Sequence, residues 1–336
     1  MMRTKELFRK TGRVAARFFL CLGTLLIGGF ALLMGALAVV FYGPAPTVRD
    51  LLVCTLMETS GAKFVARIYF SDERIEEILA ANAPRALQNI STGNGVNTNK
   101  NNTDLDLSAI TVEEVNGPTF HGKMMIVNDP SRIFVESVQE FGEDKDGETI
   151  TSMVERTGAV AAINGGGFYD PGGYGRGGMP WGVVIKNGQL VWYSAKGEFR
   201  DSIIIGFDQD HKLQFGKMTP QEALDRGIQE GLSFRPALIM DGKRVPLSGT
   251  GGGLNPRTAI GQRKDGAVLM LVVDGRQPDS IGASFKDLQD VMLAYGAVNA
   301  ANLDGGSSST LVYNGEILNN ISMIGLRKIS TAFLVR

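Results

Sequence analysis

Val183-Val184-Ile185-Lys186-Asn187-Gly188-Gln189-Leu190-Val191 is two short apolar, β-branched runs joined by Asn-Gly. That dipeptide readily takes the positive φ angles of a type I′ turn, so the stretch predicts a β-hairpin. Asp241-Gly242 and Asn314-Gly315 repeat the signal. Between and around them the runs MMIVND, RIFVESV, AVAAIN, SIIIGFD, ALIMDGKRV, AVLMLVVDG and STLVYNGEIL alternate with turn residues, the mark of many short strands. Helical spacing is scarcer. Residues 219–230 start with Thr219 as cap and Pro220 at the first helical position. Residues 284–296 start with Ser284, carry Leu288, Val291, Met292 and Tyr295 on one face, and stop at Gly296. The fold class predicted is α+β, a mixed β-sheet core with covering helices.

Composition adds an asymmetry. The chain of 336 residues is 43% hydrophobic with a formal net charge of -1, which suits a packed protein and gives no sign of a nucleic-acid binder. Within residues 1–17, Arg3, Lys5, Arg9, Lys10, Arg13 and Arg17 face only Glu6, so this end is strongly basic. From Phe18 to Tyr42 no residue is charged, a run long enough to cross a hydrocarbon core of about 30 Å. Residues 18–42 read as a transmembrane signal anchor. The positive-inside rule then puts 1–17 in the cytoplasm and the rest outside. A cleaved signal peptide is the alternative, since Ala36-Leu37-Ala38 has the form of a cleavage site. With Cys21 in the apolar run and Cys54 just beyond it, no disulfide framework is available.

Gly43-Pro44-Ala45-Pro46 breaks the helix. Residues 43–90 then read as a juxtamembrane helical stalk, with an amphipathic stretch at 47–62 and a second helix capped by Ser71. STGNGVNTNKNNTDLD, residues 91–106, has hardly an apolar side chain and reads as a flexible linker before a domain at 107–336.

Three glycine-rich segments could carry chemistry: Asn164-Gly165-Gly166-Gly167-Phe168-Tyr169-Asp170, Gly249 through Gly261 with Asn255, Pro256, Arg257 and Thr258, and Asn302-Leu303-Asp304-Gly305-Gly306-Ser307-Ser308-Ser309-Thr310. Backbone without Cβ atoms can turn sharply and aim consecutive N–H groups at one anion; the bland reading of each is an ordinary turn. Asp304 could serve as acid/base, nucleophile or metal ligand, or merely close an Asx-turn. Asp274 ends an apolar strand and either pairs with a cation, Arg276 being near in sequence, or is catalytic. Arg257 offers a fork suited to phosphate, a salt bridge being its alternative. Only His121 and His211 occur, and HExxH, CxxC, GxxxxGK[ST] and GxSxG are all missing. A zincin, a P-loop enzyme and an α/β-hydrolase are therefore disfavoured, and carboxylates remain as the acid/base groups.

AAINGGGFYD, WGVVIKNGQLV, NPRTAIGQRKDGAVLMLVVDGR and NLDGGSSSTLVYNGEILN, in that order, resemble the phosphodiester glycosidase family over about residues 155–336. Ser307 stands where many relatives carry a third glycine. The resemblance implies hydrolysis of the sugar C1–O bond in a glycosyl phosphodiester. Asp304 and Asp274 would be catalytic. Asn164, Gly165, Arg257, Thr258, Gly305, Gly306, Ser307 and Ser308 would bind substrate or phosphate. It further implies a carbohydrate phosphodiester in cell-surface or exopolysaccharide material as substrate. Two alternatives belong to other classes: a non-catalytic phosphoglycan-binding protein, and a metal-dependent phosphodiesterase in which Asp274 and Asp304 hold Ca²⁺ or Mg²⁺.

Overall fold

The computed structural model describes residues 2–336 except 60, 86, 88, 99–105, 172–174, 195–202 and 322–324, and within 2–15 the backbone only. Two compact units result, Met1–Asp50 and Leu51–Arg336. In the first, helix α1 (Met2–Tyr42) contains the apolar span Ala16–Tyr42, 27 residues of mean hydropathy 2.4, long and apolar enough to cross a membrane.

The second unit holds three antiparallel sheets. Strands β1 (Ile110–Asn116) and β2 (His121–Val127) form one edge of a seven-stranded sheet. β3 (Ile133–Ser137) and β4 (Ala161–Asn164) belong to a five-stranded sheet. A second five-stranded sheet takes β5 (Gly182–Lys186), β6 (Gln189–Ser194), β7 (Ile203–Asp208), β8 (Leu213–Gly216) and β9 (Ile228–Phe234) in the order β6-β5-β9-β7-β8. The chain returns to the large sheet through β10 (Ala237–Met240), β11 (Lys243–Arg244), β12 (Arg257–Arg263), β13 (Val268–Val273) and β14 (Ala297–Leu303), giving β1-β2-β13-β12-β14-β10-β11. Finally β15 (Leu311–Tyr313), β16 (Glu316–Ile317) and β17 (Thr331–Val335) complete the order β16-β15-β4-β17-β3.

The three sheets share one core, to which Ile163 and Phe333, Val184 and Leu232, and Ile260, Met270 and Leu303 all contribute. Helices cover the outer faces, and these account for the sequence patterns. β13 reads VLMLVV without a polar residue because both its faces are dry: Val268, Met270 and Val272 enter the shared core, while Leu269, Leu271 and Val273 meet α7 (Phe285–Ala294). α5 (Ile150–Thr157) lays Ile150, Met153 and Val154 against Ala162 and Leu334. α6 (Pro220–Asp225) brings Ala223 to Val183 and Ile204. Truncating a side chain such as Leu271 would cost roughly 2–5 kcal/mol by the cavity left behind.

Asn187-Gly188, Asp241-Gly242 and Asn314-Gly315 all turn with positive φ, and Ser284 closes a full capping box with Asp287 on α7. The helix expected over 219–230 ends at Asp225. Gly227, at φ 78, breaks it, and Ile228 onward alternates into β9. The described residues between 51 and 90, expected as a stalk, belong to the second compact unit. α2 (Pro46–Met57) buries Val53 and Cys54, α3 (Lys63–Tyr69) buries Ala66, and α4 (Asp72–Asn82) buries Ile75 and Ile78. Asn82 Oδ1 also accepts the Thr250 N–H at 2.7 Å. The first half of the expected linker is likewise ordered. Ser91 N–H donates to Phe215 O and Asn97 N–H to Lys264 O, both at 2.8 Å, and Val96 is buried, so backbone bonds substitute for the missing apolar side chains. Residues 99–105 of that linker lie outside the described residues.

Candidate active site

β12 and β14 are neighbours in antiparallel register, Thr258 opposite Leu303, so the residues preceding one strand meet those following the other. Asp304 and Arg257 therefore lie at the same end of the sheet. Gly306 N–H donates to Pro256 O at 2.9 Å, and a Cβ on Gly305 would stand 2.7 Å from that same oxygen, a clash that only glycine avoids.

Asn164, at the end of β4, joins the sheets. Its Nδ2 donates to the Asp304 carbonyl at 2.6 Å, while its Oδ1 accepts from Thr258 Oγ1 at 2.7 Å and from Thr310 N–H at 3.1 Å. Asp304 N–H in turn donates to Gly165 O at 3.0 Å. Asn164 and Thr258 are both fully buried, and through these bonds they hold the Asp304 peptide in position. Gly165 and Gly166 permit close packing rather than anion capture: Cβ atoms there would fall 2.7 Å from Leu232 and 2.5 Å from Ser233 O.

The Asp304 side chain is only partly exposed. Its Oδ1 accepts the Gly305 N–H at 3.0 Å. Desolvation pushes its pKa up to about 6, against the lowering effects of the Ser308 hydroxyl and the Gly305 amide; the charge of Asp170 raises it further and that of Arg327 lowers it. Asp170, the last residue of NGGGFYD, is itself paired with Arg327 at 2.6 Å, and Arg327 lies 5.3 Å over the Phe168 ring. Ser307 is half-buried in the turn Gly306–Ser308, which Gly306 opens with φ 62. Ser309 Oγ and Asn302 Oδ1 nearby are buried with no hydrogen-bond partner among the described residues.

Two guanidiniums flank this loop on its other side. Arg257 is buried and held on several sides: Nη2 donates to Glu58 Oε2 and to Gly253 O, both at 2.7 Å, Nε donates to Ala283 O at 3.1 Å, and the group stacks 4.1 Å over Phe285. Arg276 is open to solvent, and its guanidinium stands 3.4 Å from where a Gly306 Cβ would be. It adopts φ 60, an uncommon conformation for a side chain of this size and one that recurs at functional sites. Partial desolvation where its Nη2 meets Asn255, together with the charge of Arg257, lowers its pKa, while Glu58 and Asp304 raise it.

Asp274 sits one step away. Its Oδ1 accepts Asn319 Nδ2 at 3.2 Å and Asn320 N–H at 3.0 Å, and the same Asn319 Nδ2 reaches Ser309 O at 3.1 Å. Burial raises its pKa against those bonds. Among the described residues no group of three or more His, Cys, Asp or Glu is placed to hold a metal. Sequence reasoning overlooked Arg327 and Glu58, which no motif marks. It quoted Asp170 and Arg276 without giving either a role in the site, and both stand beside residues that were chosen.

A carboxyl with its pKa raised to about 6, near Arg276 and Arg327 where three glycine-rich loops meet, has the electrostatics that suit acid/base chemistry on an anion. A family model described as phosphodiester glycosidase matches residues 157–336, more than half of the chain, and the chain belongs to that family. It is 34% identical over 182 residues to the SPbeta prophage-derived uncharacterized protein YomE of Bacillus subtilis (strain 168), covering 52% of this chain and 27% of that protein. It is 27% identical over 229 residues to N-acetylglucosamine-1-phosphodiester alpha-N-acetylglucosaminidase of Mus musculus, covering 61% of this chain and 42% of the mouse protein. The chain thus spans less than half the length of these two relatives. The zebrafish N-acetylglucosamine-1-phosphodiester alpha-N-acetylglucosaminidase catalytic domain, solved auto-inhibited by its pro-peptide, superposes with a TM-score of 0.56 at 22% identity, over 71% of this chain and 86% of the zebrafish chain, which establishes a common fold.

Proposed function

We propose that this chain hydrolyses the sugar C1–O bond of glycosyl phosphodiesters, anchored by α1 with the second unit outside the membrane, and that its substrates are phosphodiester-linked sugars of cell-surface or exopolysaccharide material. The observation that carries the reading is the setting of Asp304: a carboxyl with pKa of about 6, held by its own backbone at the junction of two sheets, with Arg276 on one side and the Asp170–Arg327 pair on the other. A group with that pKa exchanges protons readily near neutral pH. In the reaction, water forms a bond to C1, the C1–O bond breaks, the phosphate monoester departs with the electron pair, and the proton released by water passes to the Asp304 carboxylate. The leaving phosphate is already a stable anion. Arg276, with the N–H of Ser307, would stabilise its charge in place of a strong general acid. Arg257, Asn164 and Thr258 act by holding these groups, and Asp274 acts through Asn319 on the loop.

The test is release of free sugar from an α-glycosyl phosphodiester by the full chain in heavy-oxygen water, with and without chelator. Label in the sugar supports C–O cleavage. Label in the phosphate, with activity lost to chelator, would instead establish a metal-dependent phosphodiesterase, and glycan binding without turnover would establish a binding protein.

A further inference from the structure

Glu58, just beyond the end of α2, reaches into the site from nearly two hundred positions away, the separation to Arg257 being 199 residues. Its Oε1 accepts the Gly253 N–H at 2.9 Å; its Oε2 accepts Asn255 Nδ2 at 2.8 Å and Arg257 Nη2 at 2.7 Å. Its own carbonyl accepts Arg276 Nη2 at 3.3 Å. The helix is fastened beside it, since Thr55 Oγ1 accepts the Leu254 N–H at 2.9 Å.

The decisive partner is Asn255, whose Oδ1 accepts Arg276 Nη2 at 2.9 Å. An ionised carboxylate can only accept, so Glu58 compels the Asn255 amide to turn its NH₂ inward, leaving its oxygen for Arg276. A neutral amide at position 58 can both donate and accept, and would let Asn255 flip its NH₂ toward a guanidinium that also only donates. Glu58 further supplies the negative charge that two neighbouring guanidiniums require.

We propose that Glu58 is a positioning residue for Arg276, so that the working unit of this chain begins at α2 rather than at residue 107. The proposal rests on the reading that Arg276 receives the phosphate of the substrate.

A double-mutant cycle on the full chain tests it, using Glu58→Ala, Arg276→Ala and both together, with an α-glycosyl phosphodiester as substrate and inorganic phosphate as a binding probe. Loss of a charge-assisted contact predicts that Glu58→Ala raises KM roughly tenfold or more, and that the same change has almost no effect once Arg276 is alanine. Glu58→Gln should fall with Glu58→Ala, because it frees the flip of Asn255. An equal penalty in both backgrounds would mean a merely structural role and overturn the proposal. So would a KM that stays level or drops, the outcome if the carboxylate simply competes with substrate. If the wild-type chain turns over no phosphodiester, the hydrolytic reading fails by itself. Thermal unfolding with added phosphate then decides: stabilisation of the wild type that disappears in Glu58→Ala supports the positioning role, and stabilisation kept by the variant, or missing from the wild type, refutes it.

Discussion

Arg257 and Arg276 lie close enough for the charge of one to shift the pKa of the other, yet they live under opposite rules. Arg257 is buried, stacked on Phe285, and donates to one carboxylate and two carbonyls. Arg276 is exposed, held in a left-handed backbone conformation, and donates to Asn255 and the Glu58 carbonyl. The same contrast divides the loops they serve. The Arg257 corner is closed by bonds to Glu58, Gly253 and Ala283, whereas beside Asp304 the Ser309 hydroxyl and the Asn302 carbonyl oxygen are buried without partners among the described residues. A closed corner fixes geometry, while the open Arg276 guanidinium keeps donors for an anion.

The largest effect that could break this contrast is on turnover. Asp304→Asn should reduce the rate of sugar release about 10²–10⁴-fold while leaving the fold intact, and a rate within tenfold of wild type would remove Asp304 from the chemistry. Next comes the comparison of the arginines themselves. Arg257→Met strips the partner from Glu58 and should destabilise the chain by roughly 2–3 kcal/mol in denaturant unfolding, the lower range because Glu58 keeps some solvent contact. Arg276→Met should shift stability by no more than about 0.5 kcal/mol yet abolish stabilisation by inorganic phosphate. Reversed outcomes would exchange the two roles.

The smallest effect concerns pH. Burial raises the Asp304 pKa from 3.8 to about 6, so the folded chain holds this proton more tightly than the unfolded chain does. The contribution of the group to stability is then greatest below the unfolded value and declines as pH rises through that window. Asp304→Asn should therefore melt later than wild type at about pH 8, by on the order of 1–2 kcal/mol, with the gain fading toward about pH 4. Activity in the wild type should decline below about pH 6 as the carboxylate takes up its proton. A gain independent of pH would show that burial of charge at Asp304 is not the cause.

Sheet content and the three hairpins were legible because Asn-Gly and Asp-Gly turns and unbroken runs such as VLMLVV carry their own geometry. The three glycine-rich segments meet through Asn164, Pro256 and Asp304. What the sequence hid was the division of labour within them. Asn164 and Arg257 look like ligands in one dimension, and only register and burial reveal that both are already bound within the protein. Glu58 was invisible for a related reason. A single carboxylate after a short helix has no periodic signature, and the composition of 91–106 suggested a loose tether where the backbone of 91–98 is in fact bound.

The bonds of Asn164 span 94, 140 and 146 residues, and they join strands from two different sheets to the loop that bears Asp304. Contacts so distant along the chain close only after loop-entropy costs have been met elsewhere, which makes this junction a late event in folding. Partly assembled chains would carry β-structure without a competent carboxylate. Appearance of hydrolytic activity during refolding should accordingly lag behind the recovery of secondary structure, giving an intrinsic report on when the sheets have docked.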